Sequence, residues 1–158
     1  MQTPHAYVLT QATICAVINM IVNPAMSWVT NRGLEPTPLP GILIDTTITC
    51  LIMATAIAWF TIGGVRRGLR AGQIGPGDTG EEGAALRRLP KSWWALGLVL
   101  GAGFAIVLVP LTYAMFKALA IEQVPFRQIV LFKVVYTGAM AFVVTRWVIL
   151  HELRVARG

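Results

Sequence analysis

Four long stretches of apolar residues dominate this chain and limit what it can fold into. A helix needs roughly 20 apolar residues to cross the hydrocarbon layer of a bilayer. Charged residues make up 13% of the chain, about half of their share in a soluble domain. We therefore predict a single all-α membrane domain over residues 1–158, folded as a bundle of four transmembrane helices. The predicted spans cover residues 6–30, 41–65, 92–118 and 125–150.

Basic residues concentrate in the connection between the second and third spans, residues 66–91. An excess of Lys and Arg beside helix ends keeps a loop on the cytoplasmic side of a membrane. We therefore expect this inner loop and both termini in the cytoplasm, in a multi-pass protein of the plasma membrane. The net charge of +6 then reflects topology, or alternatively contact with anionic membrane lipids, and indicates no nucleic-acid partner. Six of the 13 basic residues stand in this connection: Arg66, Arg67, Arg70, Arg87, Arg88 and Lys91.

The inner loop carries only short motifs. Its glycine-rich part, residues 72–80, lacks the Gly-Lys-Ser/Thr ending of a phosphate-binding loop. Thr79 and Glu82 have the spacing of a capping box, which predicts a short surface helix over residues 81–89. A flexible connector is the alternative that we favour.

The spacing of prolines suggests an internal repeat of two helical hairpins. Pro24 is followed by Pro40 16 residues later, and Pro110 is followed by Pro125 15 residues later, with one glutamate inside each interval. Both hairpins would run from inside to outside and back, so a pseudo-twofold axis would lie along the membrane normal. Chance similarity between apolar segments is the alternative.

Two charged residues are predicted to lie within the hydrocarbon region, where a charge is costly. Asp45 is the only acid inside a predicted span, and Lys133 is the only base away from an interface. At about 1.5 Å per residue, they lie roughly 7 Å and 10 Å below the outer ends of their helices. We therefore expect the two side chains at similar depth.

Further polar residues are predicted to gather near this pair. Asn19 and Asn23 are four residues apart and share one face of the first helix. Gly97 and Gly101 form a GxxxG pattern on the third helix, which allows close packing. An ion pair and amide hydrogen bonds that only set the helix register, each bond contributing on the order of 1 kcal/mol, are the alternative. The predicted intramembrane polar site consists of Asn19, Asn23, Asp45, Thr112, Lys133 and Tyr136.

The remaining reactive residues do not suggest chemistry. Cys15 and Cys50 lie within apolar stretches without metal-ligand spacing, and we interpret them as small buried apolar residues. His5 and His151 lie at inner helix ends, outside the region where a bundle would hold a haem. Without a catalytic set or an acidic cluster, we predict no cofactor and no metal, and an enzyme acting on a lipid or quinone is the least supported function.

Two segments carry a resemblance to other proteins. The fourth span, PFRQIVLFKVVYTGAMAFVVTRW, and the first, INMIVNPAMSW, resemble small, uncharacterised bacterial integral membrane proteins built from duplicated two-helix hairpins. The motifs are asparagine in the first helix and Phe132, Lys133 and Tyr136 in the fourth. The resemblance covers the helices and not the inner loop. It implies the inner membrane of a bacterium and no particular activity.

Two functions agree best with this pattern. The first is a small transporter or permease that works as a homo-oligomer, because four helices rarely enclose a path, with the face of Gly97 and Gly101 as a packing surface. The second is an accessory or assembly subunit of a larger membrane complex, with a purely structural ion pair. A dry contact between Asp45 and Lys133 would favour the second function, and a cavity open to the outer face would favour the first.

Overall fold

A computed structural model describes residues 2–30, 37–74, 86, 89–121 and 123–156. Within these residues, four helices are each long and apolar enough to cross a membrane. Most of the predicted short helix over residues 81–89 lies outside the described part of the chain. The elements are α1 (Pro4–Thr30), β1 (Thr37–Pro38), α2 (Leu39–Arg70), α3 (Trp93–Ala118), β2 (Gln123–Val124) and α4 (Phe126–Val155).

Two of the helices extend beyond their predicted spans. α2 continues past residue 65 to Arg70, and α4 continues past residue 150 to Val155. The predicted limits marked where the apolar residues end, whereas helical hydrogen bonding continues through the polar turns that follow. α2 ends where Gly72, with a φ of 64°, adopts the left-handed conformation, and the N–H of Gln73 then donates to the carbonyl of Gly68.

The helices α2 and α4 form the centre of the bundle. They pack directly on each other, α1 packs along α4, and α3 packs along α2. α3 and α4 touch each other only slightly. Because the two central helices are in direct contact, no open channel runs between α2 and α4. The central apolar cluster consists of Cys50, Met53, Ala54, Ile57, Ala58, Ile62, Leu96, Met140, Ala141, Val144 and Val148.

The two ends of the bundle differ in charge and in secondary structure. At the end that we call the strand end, β1 pairs antiparallel with β2, and Thr37 lies opposite Val124. At the opposite end, the N–H of Gln2 donates to the carbonyl of Gln73 at 2.9 Å, so the start of α1 lies beside the end of α2. We call this the basic end, because it carries the exposed residues Arg66, Arg67, Arg70 and Lys91.

Two glycines bring α3 close to α2. A Cβ at Gly97 would come within 2.5 Å of the Cα of Thr55, and a Cβ at Gly101 within 2.8 Å of the carbonyl oxygen of Cys50. The GxxxG face therefore packs within the chain, as a face of small residues allows. Because α2 covers it, this face is not available as the surface between copies that the sequence suggested.

Candidate functional site

Asp45 and Lys133 form a direct ion pair between α2 and α4. The Nζ of Lys133 lies 2.6 Å from Oδ2 of Asp45 and donates a hydrogen bond of 2.5 Å to Oγ of Ser27 on α1. The side chain of Lys133 is 5% exposed, and that of Asp45 is 38% exposed. One ammonium group thus joins three helices, and a carboxylate of the same chain neutralises its charge.

The local sequence explains why the two charges stand at the same height. α2 begins directly after Pro38 and α4 directly after Pro125, and neither proline N is needed by the helix that follows. The pairing of β1 with β2 holds these two helix starts together at the strand end. Asp45 and Lys133 then follow roughly 9 Å and 10 Å along their helices.

The two asparagines of α1 form a chain of hydrogen bonds on the side of this pair that faces the basic end. Nδ2 of Asn23 donates to Oδ1 of Asn19 at 2.9 Å, and Nδ2 of Asn19 donates to the carbonyl of Cys15 at 2.8 Å. Nδ2 of Asn23 also lies 3.1 Å from Sδ of Met53 on α2. Oγ1 of Thr137 on α4 donates to the carbonyl of Lys133 at 2.6 Å and lies 3.3 Å from the carbonyl of Asn19. These contacts tie α1 to both central helices.

Tyr136 lies on the side of α4 that faces α2. Tyr136 is 6% exposed, and the centre of its ring lies 4.9 Å from the centre of the Phe132 ring. The hydroxyl stands beside Thr46 and Thr49 of α2, yet within the described residues it makes no hydrogen bond of good geometry. Tyr136 therefore borders the ion pair without binding to it.

Thr112 is the predicted site residue that lies apart from the others. It is buried on α3, which packs along α2, whereas the remaining five belong to α1, α2 and α4. Among the described residues, no hydrogen bond connects it to any of those five. Its helix packs mainly on α2 and hardly touches α4, so Thr112 does not reach Lys133.

Ser27 accepts a hydrogen bond from Lys133 and was not among the site residues predicted from the sequence. It is 4% exposed and stands four residues after Asn23. Residues four apart lie on the same face of a helix, so the stripe that contains Asn19 and Asn23 also contains Ser27. The four-residue interval from Asn23 to Ser27 is the feature of the sequence that could have identified Ser27.

A second ion pair joins α2 and α4 at the basic end, and sequence analysis missed it. Nε of Arg66 lies 2.5 Å from Oε1 of Glu152, whose side chain is 5% exposed, while that of Arg66 is 55% exposed. The neighbouring His151 is 3% exposed, and its Nδ1 has no partner among the described residues. Glu152 follows the predicted fourth span and was therefore not among the charges predicted to lie in the hydrocarbon region.

Metal ligands do not cluster within the described part of the chain, which contains no group of His, Cys, Asp and Glu that would hold a metal. Two of the cavities that described residues line measure about 540 Å³ and 530 Å³, and neither of these two is lined by Asp45 or Lys133. The ion pair itself combines a buried ammonium group with one partly exposed carboxylate.

No protein-family model, no curated protein and no solved structure matches this chain. The resemblance to duplicated-hairpin membrane proteins stays a prediction, and the geometry of the described residues is the basis for assigning a function.

Proposed function

We propose that this chain is an accessory or assembly subunit of a larger membrane complex and that its Asp45–Lys133 pair is structural. The observation that carries the proposal is the direct contact of 2.6 Å between the two side chains, with that of Lys133 only 5% exposed. An ammonium group that is already paired and hydrogen-bonded offers no free charge to a solute. The direct packing of α2 on α4 supports the same function, because it leaves no channel between these two helices.

In this proposal, the two ion pairs lie near opposite faces of the membrane. Asp45 precedes Arg66 by 21 residues along α2, and Lys133 precedes Glu152 by 19 residues along α4. At about 1.5 Å per residue these separations amount to roughly 28–32 Å, close to the thickness of the hydrocarbon layer. In each pair one partner is buried and the other is partly exposed, so water and headgroups near the membrane surface would solvate the exposed one.

The proposed orientation places the basic end in the cytoplasm. Exposed arginines and Lys91 stand at this end, as the positive-inside rule requires of a cytoplasmic face. Both termini would then be cytoplasmic, because Gln2 bonds to the end of α2 and Glu152 pairs with Arg66. The resemblance of the first and fourth spans to bacterial proteins is what favours a bacterial inner membrane.

We also propose that the chain is a duplicated hairpin, with α1–α2 equivalent to α3–α4. The helices pack side by side in the order α1, α4, α2, α3. Exchanging α1 with α3 and α2 with α4 reverses this order and leaves the same set of helix contacts. An offset of 86 residues relates Pro24 to Pro110 within α1 and α3. The same offset relates β1 to β2. A twofold axis would then exchange the pair Thr37–Val124 with the pair Pro38–Gln123. These agreements favour duplication over chance similarity.

The helix α1 is the surface on which we propose that the larger complex binds. Its apolar window is the least covered of the four, with 17% of the residues buried, compared with 50% for α4. Its exposed face carries Ile14, Ile18 and Ile21 at 48%, 52% and 66% exposure. A partner helix on this face would gain packing contacts that lipid chains provide less specifically.

A second candidate function is that of a small carrier, and one specific observation favours it. The Asp45 side chain is 38% exposed although its partner is buried. Protonation of this carboxylate from outside would release Lys133 from the pair, which is one way to couple a proton to a change of conformation. Because α2 and α4 leave no path between them and four helices rarely enclose one, such a carrier would work as an oligomer.

One experiment separates the two functions. The wild type and the double variant Asp45→Leu/Lys133→Met are extracted from the native membrane in mild detergent, and their particle masses are measured by native mass spectrometry. The same preparations and Asp45→Asn are reconstituted into vesicles that contain a pH-sensitive dye. Ile44→Ala is the matched control, because Ile44 adjoins Asp45 in sequence and is 61% exposed.

For a subunit, we expect a stoichiometric second polypeptide in the particle, retained by the double variant, and no proton flux above that of empty vesicles. A chain that purifies without other polypeptides would contradict the proposal. So would a proton flux that Asp45→Asn abolishes and Ile44→Ala leaves unchanged, and that flux would establish the carrier.

A further inference from the structure

An apolar groove opens between α3 and α4 on the outside of the bundle. The two helices barely touch each other, and a cavity of about 530 Å³ fills the space between them. Gly103 forms part of its lining, and a Cβ added there would meet no atom within 4 Å. The groove is therefore open over the middle of α3. Other lining residues are Leu89, Val99, Val107, Val143 and Trp147.

The groove is apolar along several turns of α3. From Val99 to Leu108 its lining extends about 14 Å along this helix. An unbranched hydrocarbon chain can lie along an apolar groove of this length. A helix of a second copy of this chain is the other occupant, and the experiment below distinguishes the two.

The charge at one end of the groove indicates what kind of lipid carries that chain. Leu89 and Trp147 line the end nearest the basic end, and Trp residues favour the headgroup level of a bilayer. Lys91, two residues after Leu89, is exposed and makes no ion pair within the described residues. An ammonium group at this position attracts the phosphate of an anionic headgroup.

We propose that the α3–α4 groove is a binding site for an anionic phospholipid, with one acyl chain along Gly103 and the phosphate at Lys91. An apolar lining suits a hydrocarbon chain, and the exposed Lys91 stands near the end of the groove where the headgroup of that chain would lie. The site is separate from the Asp45–Lys133 pair and does not depend on either function proposed for that pair.

The test fills the groove without disturbing the helix. Gly103→Leu places a side chain in the open space, and leucine is a better helix former than glycine. Gly64→Leu is the matched control, because a Cβ at Gly64 also meets nothing within 4 Å but lies on α2, outside the lining. Each purified full-length protein is stripped of lipid in detergent and offered phosphatidylglycerol, phosphatidylcholine or glycerol phosphate. Native mass spectrometry then counts the bound molecules, and circular dichroism checks the helix content.

We expect the wild type and Gly64→Leu to retain phosphatidylglycerol and Gly103→Leu to lose it. Lys91→Gln should lower the preference for phosphatidylglycerol over phosphatidylcholine about fivefold, the effect of one basic residue at a membrane surface. Equal retention by Gly103→Leu and Gly64→Leu would overturn the proposal. So would equal binding of glycerol phosphate, which has no acyl chain, or a change in the number of protein copies per particle in Gly103→Leu, which would identify a second copy as the occupant.

Discussion

Lys133 is held by one group from each of two other helices, and these two partners are not equivalent. Asp45 supplies a full negative charge, and Ser27 supplies one hydroxyl oxygen. Removal of one partner from a buried ion pair is far more damaging than removal of both, because it leaves an uncompensated charge in a medium of low polarity. Because Asp45 is more exposed than Lys133, the two single replacements should differ in how much they destabilise the protein.

We expect Asp45→Leu to be the most destabilising change at this pair. It leaves the buried Lys133 ammonium with Ser27 alone, at a cost of about 3–5 kcal/mol. Lys133→Met should cost less, because the remaining carboxylate belongs to a side chain that is 38% exposed, whereas that of Lys133 is 5% exposed. The double variant should lie close to the wild type. The measurement is the unfolding midpoint of each protein in one detergent.

Ile44→Ala is again the control, since it removes a large exposed side chain next to Asp45 without touching a charge. If the double variant unfolds as easily as Asp45→Leu, the pair is not the reason for the loss. Equal losses in the two single variants would show that the exposure of Asp45 does not matter.

At the scale of elements, the helix pairs α2–α3 and α1–α4 pack by different means. Gly97 lets the backbone of α3 touch the backbone of α2, at Thr55. On α4, Gly138 faces the side chain of Met20 instead, with 2.5 Å between a built Cβ and its Cγ. Methionine is flexible and can move aside, whereas a helix backbone cannot move without shifting the whole helix.

This contrast predicts different responses to the same substitution. Gly97→Ala should destabilise the protein by about 1–3 kcal/mol, because the new methyl group overlaps the backbone of α2. Gly138→Ala should be milder because Met20 can adopt another rotamer. Gly103→Ala should be neutral or stabilise by about 0.5–1 kcal/mol, since it meets no atom and reduces the freedom of the unfolded chain.

Unfolding midpoints measured side by side check this order. A Gly97→Ala protein as stable as Gly103→Ala would mean that α3 does not approach α2 as closely as described. The three variants share one chemical change, so a general effect of alanine on helix propensity cannot produce differences among them.

At the scale of the whole molecule, the two ends of the bundle should lie on opposite sides of a membrane. Gln123 is exposed in β2 at the strand end, and Gln73 is exposed after α2 at the basic end. In a background without Cys15 and Cys50, we expect Gln123→Cys to react with a membrane-impermeant thiol reagent added outside intact cells. Gln73→Cys should react only after the membrane is opened, because the basic end is proposed to be cytoplasmic.

The extent of labelling is read from the mass shift of the purified protein. Labelling of Gln73→Cys alone in intact cells would reverse the orientation. Labelling of both would contradict a membrane-spanning bundle, since then no barrier separates the two ends.

The number and class of the helices, and the pair of charges at similar depth, could be predicted from the amino-acid sequence. These properties follow from composition along one helix: a length of apolar residues sets a span, and the rise per residue sets the depth of Asp45 and Lys133. Helical spacing also places Asn19 and Asn23 on one face, which is where the structure has them.

The contacts between helices are a property of the folded bundle. Sequence periodicity defines the face of each helix but does not choose its partner, so Thr112 was grouped with Lys133, although α3 hardly touches α4. The same limit explains why Gly97 and Gly101 were predicted to join two copies, although α2 covers them. The contact between Arg66 and Glu152 was missed for a different reason, because Glu152 follows the predicted fourth span. The choice of partner rests on the complementary shapes of whole helices, which no single stretch of sequence contains.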